Sequence, residues 1–317
     1  MNLGKNLATK SNKYKTMIQR INCPITGQAS EVIFSRPYSL PEFQPMMCGD
    51  VAQMLAGKSY EIRRSPASNL YFQTWVMESH ELARWYSPST SDDFFLGEIA
   101  KQKIYWFAHM TEEILVMRQM IPTPRPVVLD FGCNWGKWAN MALAHGCDVY
   151  AVEINRAASD FCAGRGIKMV SLEALAGLRF DFINVDQVME HLTDPLGIAQ
   201  LLAAAIKPGG FMKLGTPDNP KLPHLLRAAQ SSGNNSILDS KKLDALAPLN
   251  HVNLFNNDSL RQLGDRVGLR AVRLPFFKWM GAGQLWNIPR QFNRNFNTPW
   301  KRWRMRGPYV WLQKSSN

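Results

Sequence analysis

A chain of 317 residues, 45% of them hydrophobic and 20% charged, can bury the core of one large domain with room for a small appendage. No apolar run approaches the roughly 18 residues of a membrane-crossing helix, which excludes a spanning segment by this criterion. The net charge of +12 is concentrated at the ends: residues 1–30 carry five basic side chains and no acid, residues 266–317 carry eleven and no acid, and the middle is slightly acidic.

Residues 1–20 are polar and lysine-dotted and read as a flexible basic lead, without the apolar stretch of a secretory signal. The five cysteines, Cys23, Cys48, Cys133, Cys147 and Cys162, are odd in number and irregularly spaced. No disulfide framework is therefore expected, and a cytoplasmic location is. Within residues 21–90 two similar turns recur, Cys23-Pro24-Ile25-Thr26-Gly27 and Ser65-Pro66-Ala67-Ser68-Asn69. From Ser91 to Met120 the pattern is helical: Ser91-Asp92-Asp93 can cap it, and Ile99, Ile104, Phe107, Ile114 and Leu115 recur at roughly helical spacing. Pro122, Pro124 and Pro126 end that helix and stiffen the lead into Val127.

Val127-Val128-Leu129-Asp130-Phe131-Gly132-Cys133-Asn134-Trp135-Gly136 organises the rest of the chain. Its apolar start predicts a short buried strand, and its two glycines allow a tight turn that a ligand can approach closely. Lys137–Ala144 then reads as a helix. A second strand, Val149–Val152, stops at Glu153, where an acid suits two ribose hydroxyls at the carboxyl edge of a parallel sheet. A dinucleotide loop would want a glycine at Asn134 and no acid at Asp130, since a carboxylate repels pyrophosphate. The same carboxylate attracts the ammonium of S-adenosylmethionine. The run resembles the first motif of the class I S-adenosylmethionine-dependent methyltransferases, hydrophobic-hydrophobic-Asp-x-Gly-x-x-x-Gly.

The segments that follow continue the resemblance to about Gly215. Asn155–Gly164 reads as a helix, Ile167–Val170 as a third strand and Phe180–Val185 as a fourth, leading into Asp186-Gln187-Val188-Met189-Glu190-His191-Leu192. A helix from Thr193 to Ile206, a glycine turn at Lys207–Gly210 and a fifth strand, Phe211–Gly215, come next. Asp258–Gly268 reads as a helix, with a sixth strand at Leu269–Phe277 and a seventh closing at Gly307–Lys314. The resemblance implies an α/β, Rossmann-like, seven-stranded and mostly parallel sheet with helices on both faces over residues 91–317, plus a small N-terminal appendage. It implies S-adenosyl-L-methionine held by Asp130, Gly132, Cys133, Asn134, Gly136 and Glu153, with Glu173, Asp186 and Gln187 completing the pocket. The resemblance places Glu173 near where the family holds the adenine, with Ser171 standing where the family often has an aspartate.

The two Pro-containing turns resemble the knuckles of a small zinc ribbon that precedes many bacterial methyltransferase domains. Here the ligand positions would be Cys23, Thr26, Ser65 and Ser68, and one thiol with three hydroxyls will not hold zinc. Quinone-biosynthesis O-methyltransferases have a related Glu-x-x-Glu-His segment associated with a divalent metal. Gln187 takes the place of its first acid in this chain, so no metal is expected. His191 is the first candidate for a base toward an acceptor hydroxyl and His251 the second. His251 lies in Asn250-His251-Val252-Asn253-Leu254-Phe255, which resembles a family Glu-His-x-Asn-x-Phe segment with Asn250 in the acid's place.

Residues 216–257 are polar and too long for a plain connection, so they read as a lid or substrate wall. Residues 278–306 place Trp279, Trp286, Trp300 and Trp303 among seven basic residues without an acid. That composition suits an anionic membrane surface touched peripherally from the cytoplasmic side, or an anionic glycan. Nucleic acid is least favoured, because no binding module accompanies the stretch. The leading expectation is O-methylation of a sugar, glycan or lipid-linked acceptor. The alternatives are a small phenolic or quinone-type acceptor, or a non-catalytic cofactor-binding scaffold.

Overall fold

The computed structural model describes residues 17–47, 50–78, 104–238, 241–274 and 309–316. The first described elements are β1 (Met17–Gln19), β2 (Glu31–Pro37), α1 (Asp50–Leu55), β3 (Ser59–Arg64), β4 (Tyr71–Gln73) and β5 (Trp75–Met77). Strands β1 and β5 pair antiparallel, as do β2 with β3 and β3 with β4. In β3 alternate residues Tyr60 and Ile62 are fully buried, as period-two patterning requires of a half-covered sheet. Tyr60 meets Tyr38, Phe43 and Phe34 in edge or tilted ring contacts.

The remaining elements are α2 (Ile104–Met120), β6 (Val127–Phe131), α3 (Lys137–Ala144), β7 (Asp148–Val152), α4 (Arg156–Ala163), β8 (Lys168–Met169), β9 (Phe180–Asp186), α5 (Pro195–Ala204), β10 (Ile206–Gly215), α6 (Leu222–Ser232), β11 (Asn253–Leu254), α7 (Asn257–Arg266), β12 (Leu269–Val272) and β13 (Tyr309–Lys314). A seven-stranded sheet runs in the order β12-β13-β10-β9-β6-β7-β8. Its β10, β9, β6, β7 and β8 are parallel, and β13 lies antiparallel between β10 and β12. From β6 the chain builds outward through β7 and β8, then returns to the other side of β6 with β9. Strand order therefore reverses between β6 and β9, the place where α/β sheets open a ligand crevice.

Several expected boundaries shift. The basic lead ends sooner than residue 20, because Met17–Gln19 pair with β5 and Arg20 is buried. Of the helix expected over 91–120, residues 104–120 are described as α2, and 91–103 lie outside the described residues. The helix expected to reach Ile206 ends at Ala204. Lys207–Gly210 is a bulge within β10: Ile206 pairs with Phe180 and Phe211 with Phe182. Of the expected sixth and seventh strands, 275–277 and 307–308 lie outside the described residues, as does the whole basic aromatic stretch 278–306.

The expected lid is packed as part of the N-terminal unit. Strand β11 adds to β4, and Leu222, Leu226, Leu246, Leu249 and Leu254 share one buried cluster with Phe34, Tyr60 and Ile62. Three short N-terminal strands cannot bury both faces alone, and the later segment supplies the missing apolar cover. Arg20 ties this unit to the central sheet. Its guanidinium donates to the carbonyls of Gln73, Val252 and Thr193 and to Oδ1 of Asn253 at 2.7–3.3 Å.

The two Pro-containing turns form a matched pair, with Gly27 and Asn69 both left-handed at φ 69° and 55°. Their four would-be ligand positions converge. Cys23 Sγ lies 3.2 Å from Ser68 Oγ, and Cys23, Ser65 and Ser68 are all buried. Burial alone would raise the Cys23 thiol, but hydrogen bonds with Ser65, Ser68 and Thr26 outweigh it and leave its pKa lowered. Three hydroxyls and a thiol are a poor donor set for zinc, so the cluster does not fit that metal. Ile25 of the first turn, and Leu70 and Phe72 just after the second, enter the core of the central sheet beside Leu214 and Leu260.

Candidate active site

The glycine loop between β6 and α3 is shaped by three left-handed residues, Gly132, Asn134 and Gly136, at φ 74°, 48° and 68°. A side chain at 132 would place its Cβ 2.5 Å from Val188 Cγ2, so glycine is required on steric as well as torsional grounds. The amides of Gly132 and Cys133 both donate to the Val152 carbonyl, which fastens the loop to the end of β7. There Glu153 closes the arrangement. Its carboxylate accepts from the Asn134 amide at 2.7 Å and from the Asn155 amide at 2.8 Å. Ile154 follows at 64% exposure, an apolar surface at the crevice rim that the sequence reading missed. Its signal was an isolated large aliphatic directly after a strand-ending acid.

Asp130 is buried on β6 and accepts a hydrogen bond from Asn184 Nδ2 on β9 at 2.8 Å. Burial pushes its carboxyl up to about 7 despite that bond. Asp186 and Gln187 are exposed at the end of β9, beside the crevice. The Gln187 amide donates to the Gly215 carbonyl, and a Cβ at 215 would sit 2.1 Å from Asp186 Oδ1. Gly215 thus leaves the space that the Asp186 carboxylate occupies. Below it, Lys213 is buried with its Nζ 2.7 Å from Glu113 on α2 and 3.6 Å from Asp186. This ion pair was also missed, although a lysine within the apolar run of β10 was its visible mark.

Two expected cofactor contacts sit differently. The Cys133 side chain turns away into the core, with Sγ 3.9 Å from Cys162 Sγ on α4, so only its backbone belongs to the loop. Glu173 is exposed at the start of a short helix after β8, and the structure ties it to Ser171 rather than to the glycine loop.

The two candidate catalytic histidines come together, although they belong to different segments. The rings of His191 and His251 lie 4.7 Å apart at 60°. His191 Nδ1 is 3.0 Å from the Asn250 carbonyl and His251 Nδ1 is 2.5 Å from the Asp244 carbonyl. Burial, reinforced by His251, lowers His191 to about 4, so the imidazole is neutral at ordinary pH and a weak proton acceptor. Beside them Glu190 is buried, its carboxylate 3.8 Å from His191 Nε2. Burial pushes Glu190 up to about 8. One ligand atom from each of Glu190, His191 and His251 lies within 4.8 Å of the others. Among the described residues this is a group whose ligand atoms are close enough for one ion, although Gln187 replaces the first acid of the family's metal-associated segment. The replaced acid at Gln187 plays no part in this group, and His251 enters from the segment once read as a lid.

A family model described as a methyltransferase domain matches residues 104–274. The ubiquinone biosynthesis O-methyltransferase of Bordetella avium is 25% identical over 151 residues, which cover 44% of this chain and 58% of that protein. The enzyme of the same name from Alkalilimnicola ehrlichii is 28% identical over 106 residues, covering 30% and 43%. The chain thus spans about half the length of these curated relatives. Among solved structures, the plantazolicin methyltransferase BamL, determined with a triazolic desmethylPZN analog and SAH, has a TM-score of 0.50 at 14% identity. That alignment covers 75% of this chain and 95% of BamL, and it shows a shared fold.

Proposed function

The chain belongs to the methyltransferase domain family, and on that premise we propose that it moves the methyl group of S-adenosylmethionine to a hydroxyl of a small phenolic or quinone-type acceptor. The observation that carries the cofactor reading is the closure of the glycine loop on Glu153. Two backbone amides hold that carboxylate at the carboxyl edge of β7, where it can receive the ribose hydroxyls. Asp130 and Asp186 offer negative charge toward the cationic methionine end. Gly132 and Gly215 keep side chains out of the crevice. S-adenosylmethionine supplies an electrophilic methyl on a sulfonium, and the protein must align an acceptor oxygen behind it.

The acceptor end of the site is the Glu190–His191–His251 group just beyond β9. The names of the curated relatives support a quinone-type acceptor over the glycan expected from the N-terminal turns. The glycan reading drew equally on residues 278–306, which lie outside the described residues. We carry that stretch forward as a contact for an anionic membrane surface, which would bring the enzyme to apolar quinone-type substrates; no helix among the described residues is long and apolar enough to cross a membrane. Sedimentation with anionic and neutral vesicles at low salt tests this contact.

The central test is calorimetry with S-adenosylmethionine and with NAD, followed by transfer of labelled methyl to hydroxylated aromatic acids, quinols and cell glycans. Binding of the first cofactor and labelling of aromatic hydroxyls is the expected result. Label appearing in glycans alone would overturn the acceptor assignment, and binding of NAD alone would overturn the cofactor.

A further inference from the structure

We propose that Lys213 is a positioning residue of the cofactor crevice: anchored by Glu113, its ammonium holds the Asp186 carboxylate toward the cationic methionine end of S-adenosylmethionine. This inference rests on the methyl-transfer reading and deepens it. Paired residues on neighbouring parallel strands share a face, and so do alternate residues along one strand. Phe182 pairs with Phe211, Asn184 with Lys213 and Asp186 with Gly215, while Val128 and Asp130 of β6 pair with Phe182 and Asn184. One face of the sheet therefore carries three rows. Val128, Phe182 and Phe211 form an apolar row, in one buried cluster with Ile114 and Met117 of α2. Asp130, Asn184 and Lys213 form a polar row, and all three are buried. Asp186 and Gly215 form the row at the crevice edge, where Asp186 is exposed.

Lysine is the costly member of the polar row, because an ammonium taken out of water must be paired. Its Nζ lies 2.7 Å from Glu113 Oε2 and 3.6 Å from Asp186 Oδ1. Gly215 leaves the gap beside that second contact: a Cβ there would meet Asp186 Oδ1 at 2.1 Å and Lys213 Cε at 3.8 Å. From α2, His109 Nε2 is 3.3 Å from the other oxygen of Glu113, and on β13 the Tyr309 ring is 5.8 Å from Lys213 Nζ. An apolar side chain at 213 would cover this face without a desolvation cost, so stability alone does not account for the lysine. Its two carboxylate partners do: one is sealed against α2 and the other stands in the crevice. The ammonium sits among the carboxylates of Asp130, Glu113 and Asp186 and offsets their mutual repulsion before a cationic ligand arrives. Asp130 responds to both neighbours, since Lys213 lowers its carboxyl and Asp186 raises it, against a larger upward push from burial. Asn184, the Ala139 amide and the Cys133 and Cys162 thiols are the other groups within reach of Asp130.

The test uses the full chain with Lys213→Met, Lys213→Arg, Asp186→Asn and the double variants Lys213→Met/Glu113→Gln and Lys213→Met/Asp186→Asn. The double variant with Glu113→Gln removes the buried pair together, so no uncompensated carboxylate remains to unfold the protein. Circular dichroism and denaturant unfolding report folding, and calorimetry at a series of pH values reports S-adenosylmethionine affinity. Lys213→Met/Glu113→Gln should stay folded, bind the cofactor about tenfold more weakly at neutral pH, and reach its plateau at a higher pH than the wild type. Lys213→Arg keeps the charge and should recover part of the affinity. On the plateau of each profile, where Asp130 is ionised, Lys213→Met should add little to Asp186→Asn, because the lysine acts there through that carboxylate. Wild-type affinity with an unshifted profile in the folded double variant with Glu113→Gln would overturn the proposal, and so would full additivity of Lys213→Met and Asp186→Asn on the plateau. Failure of the wild type to bind S-adenosylmethionine would instead remove the functional reading beneath it.

Discussion

Asn184 donates from Nδ2 to Oδ1 of Asp130 at 2.8 Å, joining β9 to β6 at the one place where the order of the parallel strands reverses. The bond holds a buried carboxyl at the floor of the crevice, and burial still pushes that carboxyl up to about 7. Because the folded value lies above the unfolded 3.8, the native state binds the extra proton. Asp130 therefore costs progressively more stability as pH rises from about 4 to about 7, and no more above that. A cationic ligand prefers the ionised form. S-adenosylmethionine affinity should thus rise up to about tenfold per pH unit below 7 and level off above it. Asp130→Asn should bind more weakly, with a flat profile between about pH 6 and pH 8. Calorimetry across that range checks both, and an equally flat wild type would remove Asp130 from the cofactor site.

Glu153 has two roles, since it closes the loop through Asn134 and Asn155 before any ligand arrives. Glu153→Ala should weaken cofactor binding by about 1–3 kcal/mol, through lost hydrogen bonds to the ligand and a looser loop. Hydrogen exchange at the Asn134 amide should speed up in the unliganded variant. Unchanged exchange together with weaker binding would assign the whole effect to the ligand contact.

Arg20 predicts that the N-terminal unit and the sheet unfold together. Arg20→Met would leave the carbonyls of Gln73 and Val252 and the Asn253 side chain short of a donor in a buried place. The loss should be about 3 kcal/mol in denaturant, within a single transition. Two separate transitions in the wild type would show that the guanidinium does not couple the units.

What could be read in the sequence was local. The strand–glycine–helix run from Val127, the acid at 153 and the parallel strands are legible because strand and turn chemistry repeat over neighbouring residues. The partners across the fold were not. Lys213 and Glu113 form a buried pair between a strand and a helix on distant stretches of chain, and periodicity tells which face is buried but not what meets it. The same blindness separated His191 from His251, whose rings meet although they belong to distant stretches of chain. It also made residues 216–257 look like a lid, because their leucines are spread among polar residues and their burial depends on Phe34 and Tyr60.

Gly132 offers the sharpest check on the loop, because two separable costs meet there. Its φ of 74° is open to glycine and strained for alanine, and an added Cβ would also press on Val188 Cγ2 at 2.5 Å. The torsional cost is about 1 kcal/mol or somewhat more, and the overlap adds a second cost through displacement of Val188, which precedes the Glu190–His191 pair. Gly132→Ala should therefore lower thermal stability and weaken cofactor binding together. In Gly132→Ala/Val188→Ala the overlap is gone while the torsion remains. The double variant should recover part of the stability lost by the single one, beyond what Val188→Ala costs alone. A double-mutant cycle on melting temperature and cofactor affinity measures this coupling. Full additivity would mean that residue 132 and Val188 do not touch, and the loop would then sit elsewhere over the crevice.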